Sequence, residues 1–353
     1  MTKTERLILF NMSGISPATY RKLLDKYGAF ENISHKDIDL LLGRKKLLHK
    51  DLDIELKQIK KEGLKVVTLE DQEYPASLKY ISDPPYVLYL KGNLKKEDNI
   101  SIGVVGCRKP TAYGKICTEK ITTSLLKRGF TVISGLARGV DTVCHTAAVR
   151  NKKRNVAVIG SGFSRFYPQE NRRLAEDISE CGAVVSEFSM FTAPDRYNFP
   201  RRNRIISGMS LGTLVIEAGE TSGALITAKY ALEQCREVFA LPGNITSEES
   251  RGTNSLIKQG AKLVTDVEDI IEELKDALPE GFLNIKGQAE FENMALSGFE
   301  NIAFQSLNNE PMHIDEITVK TKLAPGSLAS VLINLEIKGY IRQFPGKMFV
   351  KIV

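Results

Sequence analysis

Residues 102–135 read IGVVGCRKPTAYGKICTEKITTSLLKRGFTVISG. Two apolar, β-branched runs, IGVVG (102–106) and FTVISG (130–135), bracket a segment in which Cys117, Ile121 and Leu125 fall at i, i+4 and i+8. Each run suits a strand buried on both faces, and the spacing between them suits a helix with one apolar side. The figure repeats downstream in NVAVIG (155–160), AVVSE (183–187), GTLVIE (212–217) and EVFALPG (237–243). A further helical pattern spans Gly223 to Cys235, with Leu225, Ala228 and Leu232 on one face. Strands alternating with helices across short loops predict an α/β fold: a parallel sheet covered by helices, with right-handed crossovers. Ligands of such sheets bind beyond the carboxyl ends of the strands. The loops that follow the runs are therefore where function is sought.

Composition narrows the class. At 353 residues with 42% hydrophobic content, the chain suits two or three domains with a large core. No stretch of about 18 apolar residues occurs, so no membrane insertion is expected. The opening MTKTERLILFNMSG is too quickly broken by polar residues for a signal peptide. Five cysteines, with no CxxC pair, and four scattered histidines argue for a reduced cytoplasm and against a metal site; no cofactor is expected. The net charge of +6 is uneven: residues 64–263 carry +8 and residues 264–292 carry −7. A basic middle suits a polyanionic ligand.

The flanks read as separate units. In residues 8–33 the apolar positions Leu9, Ile15, Tyr20, Leu23, Leu24 and Tyr27 predict a small helical unit. Its SGISPATYRKLL segment has the Gly turn and helix-start Pro of a helix-hairpin-helix or SAM-like domain. Such a unit either holds a DNA phosphate through backbone N–H groups or serves as a docking domain. After the acidic segment DVEDIIEELKDAL (266–278), residues 279–294 read as a linker. Beyond it, three helical segments precede two strands around Pro345-Gly346, which is the winged-helix order. Leu328, Leu332 and Leu335 form the inner face of its third helix; Ser327, Ser330, Asn334 and Lys338 form the outer face. That outer face is poor in the Arg and Lys of a groove-reading helix, which favours a protein contact or weak duplex binding. The expected boundaries are 1–70, 71–278, 279–294 and 295–353.

Five loops carry the candidate chemistry. After the first strand, Gly106 ends the run and Arg108 and Lys109 follow; the spacing fits neither GxGxxG nor a Walker A loop, but such a turn can aim N–H groups and a guanidinium at an anion. The second loop, SGLARGVDTVCHTAAV, offers Arg138 and places Asp141 four residues before His145. With no nucleophile or metal site beside them, these two read as a helix N-cap and a buried hydrogen-bonded histidine, so no catalytic residue is assigned. The third loop, around Tyr167-Pro168, leads to Asn171. The fourth, FPRRNRIISGMS (199–210), sets Arg201, Arg202 and Arg204 around Asn203 where a helix begins, a natural place for guanidinium–phosphate pairing. In the fifth, EAGETSGALITA, Ser222 and Gly223 open a helix and Thr227 lies one turn in; Ser222 serves either as an N-cap or as a phosphate contact.

Taken together, the strings GCRKPTAYG, SGLARGVDTVCHTAA, YPQENRRL, SEFSMFTAPDRYNFPRRNRIISG, VIEAGETSGALITA, ALPGNI and GTNSLIKQGA resemble the DNA processing protein A family, also called Smf. They span about residues 75–270. The resemblance implies a Rossmann-like core that binds single-stranded DNA. It further implies a cytoplasmic, non-enzymatic recombination mediator that protects incoming strands and loads the RecA recombinase in natural transformation. It also implies a homodimer formed through the core. Arg108 falls at the family's basic position after the first glycine turn, and Arg202, Asn203 and Arg204 match its FPxRNR core. Cys107 and Ser164 depart from the family's usual serine and aspartate. MSLGTLVIEA also resembles part of the PGGxGTxxE string of lysine-decarboxylase-like nucleotide phosphoribohydrolases. It keeps Gly212, Thr213 and Glu217 without the PGG, which leaves that enzyme class as the rival reading.

Overall fold

The computed structural model describes residues 2–33, 49–280, 282, 298–308, 310–337 and 340–351. The chain divides into two compact units, Met1–Ile285 and Lys286–Val353.

The six apolar runs become β3 (Ser101–Val105), β4 (Thr131–Ser134), β5 (Asn155–Val158), β6 (Ala183–Ser186), β7 (Gly212–Val215) and β8 (Glu237–Ala240). Every residue of β3 to β7 is buried, which is why these strands read as continuous rather than alternating hydrophobicity. They pair in parallel within a nine-stranded sheet of order β1-β2-β6-β5-β4-β3-β7-β8-β9. Three strands enlarge the predicted sheet. The short β9 (Lys262–Leu263) extends one edge, while β1 (Lys65–Thr68) and β2 (Val87–Gly92) join antiparallel at the other. The chain leaves β3 toward β4 on one side and returns to β7 on the other, so the order reverses between β3 and β7. A crevice opens beyond the carboxyl ends at such a reversal.

The N-terminal helices Lys3–Met12, Pro17–Tyr27 and His49–Lys61 share a core with this sheet. Leu7, Phe10, Tyr20 and Phe30 pack in one cluster with Tyr86, Tyr89 and Val184. The boundary drawn at residue 70 therefore falls inside one compact unit. The hairpin between the first two helices has its chemistry settled locally. Gly14 takes a φ of 76°, its N–H and that of Ile15 donate to the Asn11 and Phe10 carbonyls, and the Ile15 carbonyl accepts from the Tyr86 hydroxyl. Those two N–H groups are spent inside the protein, which argues for docking over phosphate binding by this turn.

In the second unit, helices Gly298–Ser306, Ile314–Thr321 and Pro325–Ile337 precede strands β11 (Ile341–Phe344) and β12 (Met348–Lys351). A short β10 (Met312–His313) completes a three-stranded sheet, and Leu328, Leu332 and Leu335 are buried against it as the heptad-like spacing predicts. Ser327, Ser330 and Asn334 are exposed on the other side; Lys338 and most of the 279–294 linker lie outside the described residues. Among the described residues no helix is long and apolar enough to cross a membrane.

Candidate nucleic-acid interface

A cleft of about 790 Å³ lies where the topology places it, against the loops after β3 and β7. Its walls include Gly106, Arg108, Lys109, Arg202, Asn203, Ser222, Gly223 and Thr227. Eight of the twelve candidate contacts are thus gathered into one opening.

The loop after β3 is fixed by β7. Glu217, 2% exposed, accepts from the Thr111 N–H at 2.8 Å and the Thr111 hydroxyl at 2.5 Å, while its own carbonyl accepts from the Cys107 N–H at 2.7 Å. Thr111 in turn caps the helix Ala112–Lys127 by accepting from the Gly114 N–H at 3.1 Å. This staple leaves Arg108 and Lys109 exposed at the mouth. It also occupies both oxygens of the carboxylate that a nucleotide-hydrolase reading would need free. Cys107 sits behind the loop, where burial and the neighbouring Glu217 and Glu249 carboxylates push its thiol up to about 12. It is a neutral filler at neutral pH.

The helix Asn198–Met209 includes Phe199 and Pro200 in its first turn, so the arginines lie within the helix rather than ahead of it. Arg201 and Arg204 are three residues apart and share a face. Both reach Glu187, at 3.1 and 2.7 Å, and Arg204 also meets Asp83 at 3.3 Å. Arg204 is 4% exposed and Arg201 stacks over Phe188 at 5.4 Å. Neither lines the cleft. Arg202 lies about 100° from Arg201 and about 160° from Arg204 around the helix, toward the sheet. Its Nη1 donates to the carbonyls of Gly135 and Val158 at the ends of β4 and β5, and its Nε donates to Asn203 Oδ1 at 3.1 Å. A side chain at Gly135 would overlap this guanidinium. Burial lowers Arg202 to about 10, with Asp141 opposing the shift, so it stays charged at neutral pH. The basic triplet is therefore split: two arginines neutralise a buried carboxylate, and one forms the cleft floor.

Arg138 stands at a smaller adjoining pocket with Arg108, Tyr167 and Phe199. Its guanidinium lies 5.9 Å from the Tyr167 ring centre and pairs with Glu170 at the surface. Arg108 lies 5.6 Å from the Phe199 ring, and the two rings are 5.8 Å apart. Two cations and two rings at one rim can meet both phosphates and base faces. Asn171 is elsewhere: it is 5% exposed and donates to the Leu136 carbonyl and the Thr142 hydroxyl, both at 2.9 Å. Its amide holds the second loop in shape. Asp141 is not the N-cap of its helix, because Gly139 takes that place with a φ of 83°. Asp141 instead accepts from the Ala137 N–H at 3.2 Å. His145 is fully buried with Nδ1 2.9 Å from Asn155 Oδ1, and burial lowers it to about 4.

Two cations escaped the sequence reading. Arg196 and Arg251 both line the cleft and are exposed. Arg196 lies three residues before Phe199, in the same motif, and that spacing was its available signal. Arg251 starts a helix after β8 and nothing local distinguishes it. Glu220, Glu248 and Glu249 also border the opening, so its walls are not uniformly basic.

Comparison with known proteins agrees with this geometry. A family model described as DNA recombination-mediator protein A matches residues 65–275, and one described as the DprA winged helix domain matches residues 293–347. The chain is 35% identical to protein Smf of Synechocystis over 360 residues, covering 91% of this chain and 88% of that one. It is 43% identical to the DNA processing protein DprA of Bacillus subtilis over 218 residues, covering 62% and 73%. Its structure resembles that of DNA processing protein A from Streptococcus pneumoniae, with a TM-score of 0.64 at 33% identity over 77% of this chain and 95% of that one. It also resembles DNA processing protein A from Helicobacter pylori, solved for its single-stranded DNA binding mode, with a TM-score of 0.55 at 27% identity over 62% and 99%. With the sheet, the winged helix and near-full-length relatives in agreement, the chain belongs to the DNA recombination-mediator protein A family, also called DprA or Smf.

Proposed function

We propose that this protein binds single-stranded DNA along the cleft and its rim, and that it works as a cytoplasmic homodimer. In this reading it protects incoming strands and passes them to the RecA recombinase during natural transformation. The observation that carries the reading is the rim itself. Arg108, Lys109, Arg196 and Arg251 are exposed around the cleft at the sheet's topological switch, and Arg138 and Tyr167 border the small pocket that adjoins it at Arg108 and Phe199. Such a surface tracks a backbone by charge and takes unstacked bases on its rings, without sequence readout. The related H. pylori protein, which binds single-stranded DNA, supports it.

The test is binding of labelled oligothymidylate as a function of salt. A logarithmic slope of roughly −0.7 per neutralised phosphate is expected on a single strand. Arg108→Ala and Arg138→Ala should each flatten that slope by close to one contact and weaken all sequences alike. Slopes unchanged in both variants would remove the rim from the binding surface. Strand exchange by RecA on protein-coated single strands tests the loading step. Incubation with nucleoside monophosphates, followed for released base, tests the rival hydrolase reading, which the engaged Glu217 carboxylate disfavours.

A further inference from the structure

The cleft floor holds donors that contacts within the protein leave unused. The helix Gly223–Glu233 opens onto it; the Ser222 hydroxyl accepts from the Ala224 N–H at 3.3 Å and the Ser222 carbonyl from the Leu225 N–H at 3.1 Å, so the unused donors are those beside this turn. One turn in, Thr227 is 1% exposed, lines the cleft, and its hydroxyl makes no hydrogen bond among the described residues. Asn203 joins this helix end to the neighbouring helix: its amide donates to the Gly223 carbonyl at 3.3 Å while its oxygen accepts from Arg202 Nε at 3.1 Å. Arg202 spends Nη1 on two strand-end carbonyls, and its Nη2 has no acceptor among the described residues. A helix N-terminus, a buried hydroxyl and a fixed guanidinium therefore line one cleft, with Asn203 bridging the helix end and Arg202. Burial lowers the Arg202 pKa; Asp141, which also lines the cleft, opposes the shift, and an anion beside it would act in the same sense as Asp141.

We propose that this floor is a discrete subsite for a phosphate monoester, supplied by the phosphorylated end of a single strand or by a free nucleoside monophosphate. The inference rests on the cleft being the nucleic-acid site and specifies which phosphate it holds. Near neutral pH a monoester carries close to two charges on three terminal oxygens, whereas an internal diester carries one charge on two. Three donors of different origin match the former. Because Glu220, Glu248 and Glu249 also border the cleft, directed donors rather than bulk charge select the phosphate.

The test uses the whole chain and a fluorescein-labelled oligothymidylate displaced by unlabelled competitors. These are oligothymidylates of equal length with hydroxyl ends, a 5′-phosphate or a 3′-phosphate, together with thymidine and dTMP. A phosphorylated end should compete roughly tenfold better than a hydroxyl end, or dTMP should displace where thymidine does not. The gap should shrink toward pH 5.5 as the monoester dianion takes up one proton, near pH 6. It should fall to within about twofold in Thr227→Val and return in Thr227→Ser. A gap between oligonucleotide ends names the strand end as the source; displacement by dTMP without that gap names the free nucleotide. Equal competition by all oligonucleotides with no dTMP effect overturns the proposal, as does a gap that survives Thr227→Val. If Thr227→Val fails to show a cooperative melt, the pH dependence of the wild-type gap decides alone, and a flat profile overturns the proposal. Failure of the hydroxyl-ended oligonucleotide to bind refutes the cleft reading itself, whereas its binding without a gap refutes only the monoester subsite.

Discussion

Replacing Glu187 with glutamine isolates what two of the three FPRRNR arginines do. The Glu187 side chain is 2% exposed and receives Arg204 at 2.7 Å and Arg201 at 3.1 Å. Glutamine keeps the volume and removes the charge. Arg204, with a side chain only 5% exposed, is then left with Asp83 at 3.3 Å, which is 37% exposed. Breaking a buried pair from one side costs on the order of 3–5 kcal/mol. The retained Asp83 and the glutamine oxygen, which still accepts a hydrogen bond, place the expected loss at the lower end, about 3 kcal/mol. The Arg201 pair adds little, because that side chain is 41% exposed and screened. For a unit of this size, about 3 kcal/mol lowers Tm by roughly 6–12 °C. Circular dichroism during heating and urea titration measures it. The partner variant Arg204→Met completes a cycle, and the double variant should recover part of the loss because no charge is then stranded. A loss under about 1 kcal/mol, or strictly additive single variants, would refute the claim that this cluster is structural.

The remaining expectations are smaller in scope. His145 is held near 4 by burial, below its ordinary 6.5, so the unfolded chain binds its proton first as pH falls. Its contribution to stability is intact above about pH 6.5 and declines toward pH 4 by about 3 kcal/mol in all; His145→Gln should lose that part of the acid dependence in urea titrations at pH 7, 5.5 and 4.5. Cys235 is exposed, while Cys107 is buried with its thiol near 12. Alkylation at pH 8 followed by peptide mass mapping should label Cys235 early and Cys107 only in denaturant; early labelling of Cys107 would contradict the packing of the first loop. A methyl at Gly114 would overlap the Glu217 carboxylate, so Gly114→Ala should release the staple from Thr111, lower stability by about 2 kcal/mol and weaken oligonucleotide binding. Unchanged binding and melting in that variant would show that Glu217 does not hold the rim.

The sheet was legible because buried parallel strands leave a signature that needs no partner to read: IGVVG and NVAVIG are apolar throughout. The antiparallel pair β1 and β2 was not, since KVVT is short and VLYLKG follows a proline-rich stretch. That the N-terminal helices share a core with the sheet was not legible for a related reason. Tyr89 of β2 and Tyr86 just before it pack against the first helices, and a contact of that kind has no local periodicity. At the site, the loops and their order located the cleft, but side-chain direction did not follow from residue type. Arg201 and Arg204 read as phosphate contacts until Glu187 is seen beneath them, although their i, i+3 spacing and the glutamate closing AVVSE were both in view. Asn171 read as a helix-start contact and instead holds a loop carbonyl, a role only tertiary structure defines.

The central claim is that the exposed rim, not the whole FPRRNR string, carries single-stranded DNA. Anisotropy of labelled oligothymidylate titrated from about 50 to 200 mM salt, for wild type, Arg108→Ala and Arg204→Met, tests it most directly. The account predicts that Arg108→Ala weakens binding and flattens the salt slope. It predicts that Arg204→Met, at a temperature where it stays folded, keeps the wild-type slope. The opposite pattern, a flattened slope for Arg204→Met and none for Arg108→Ala, would contradict it.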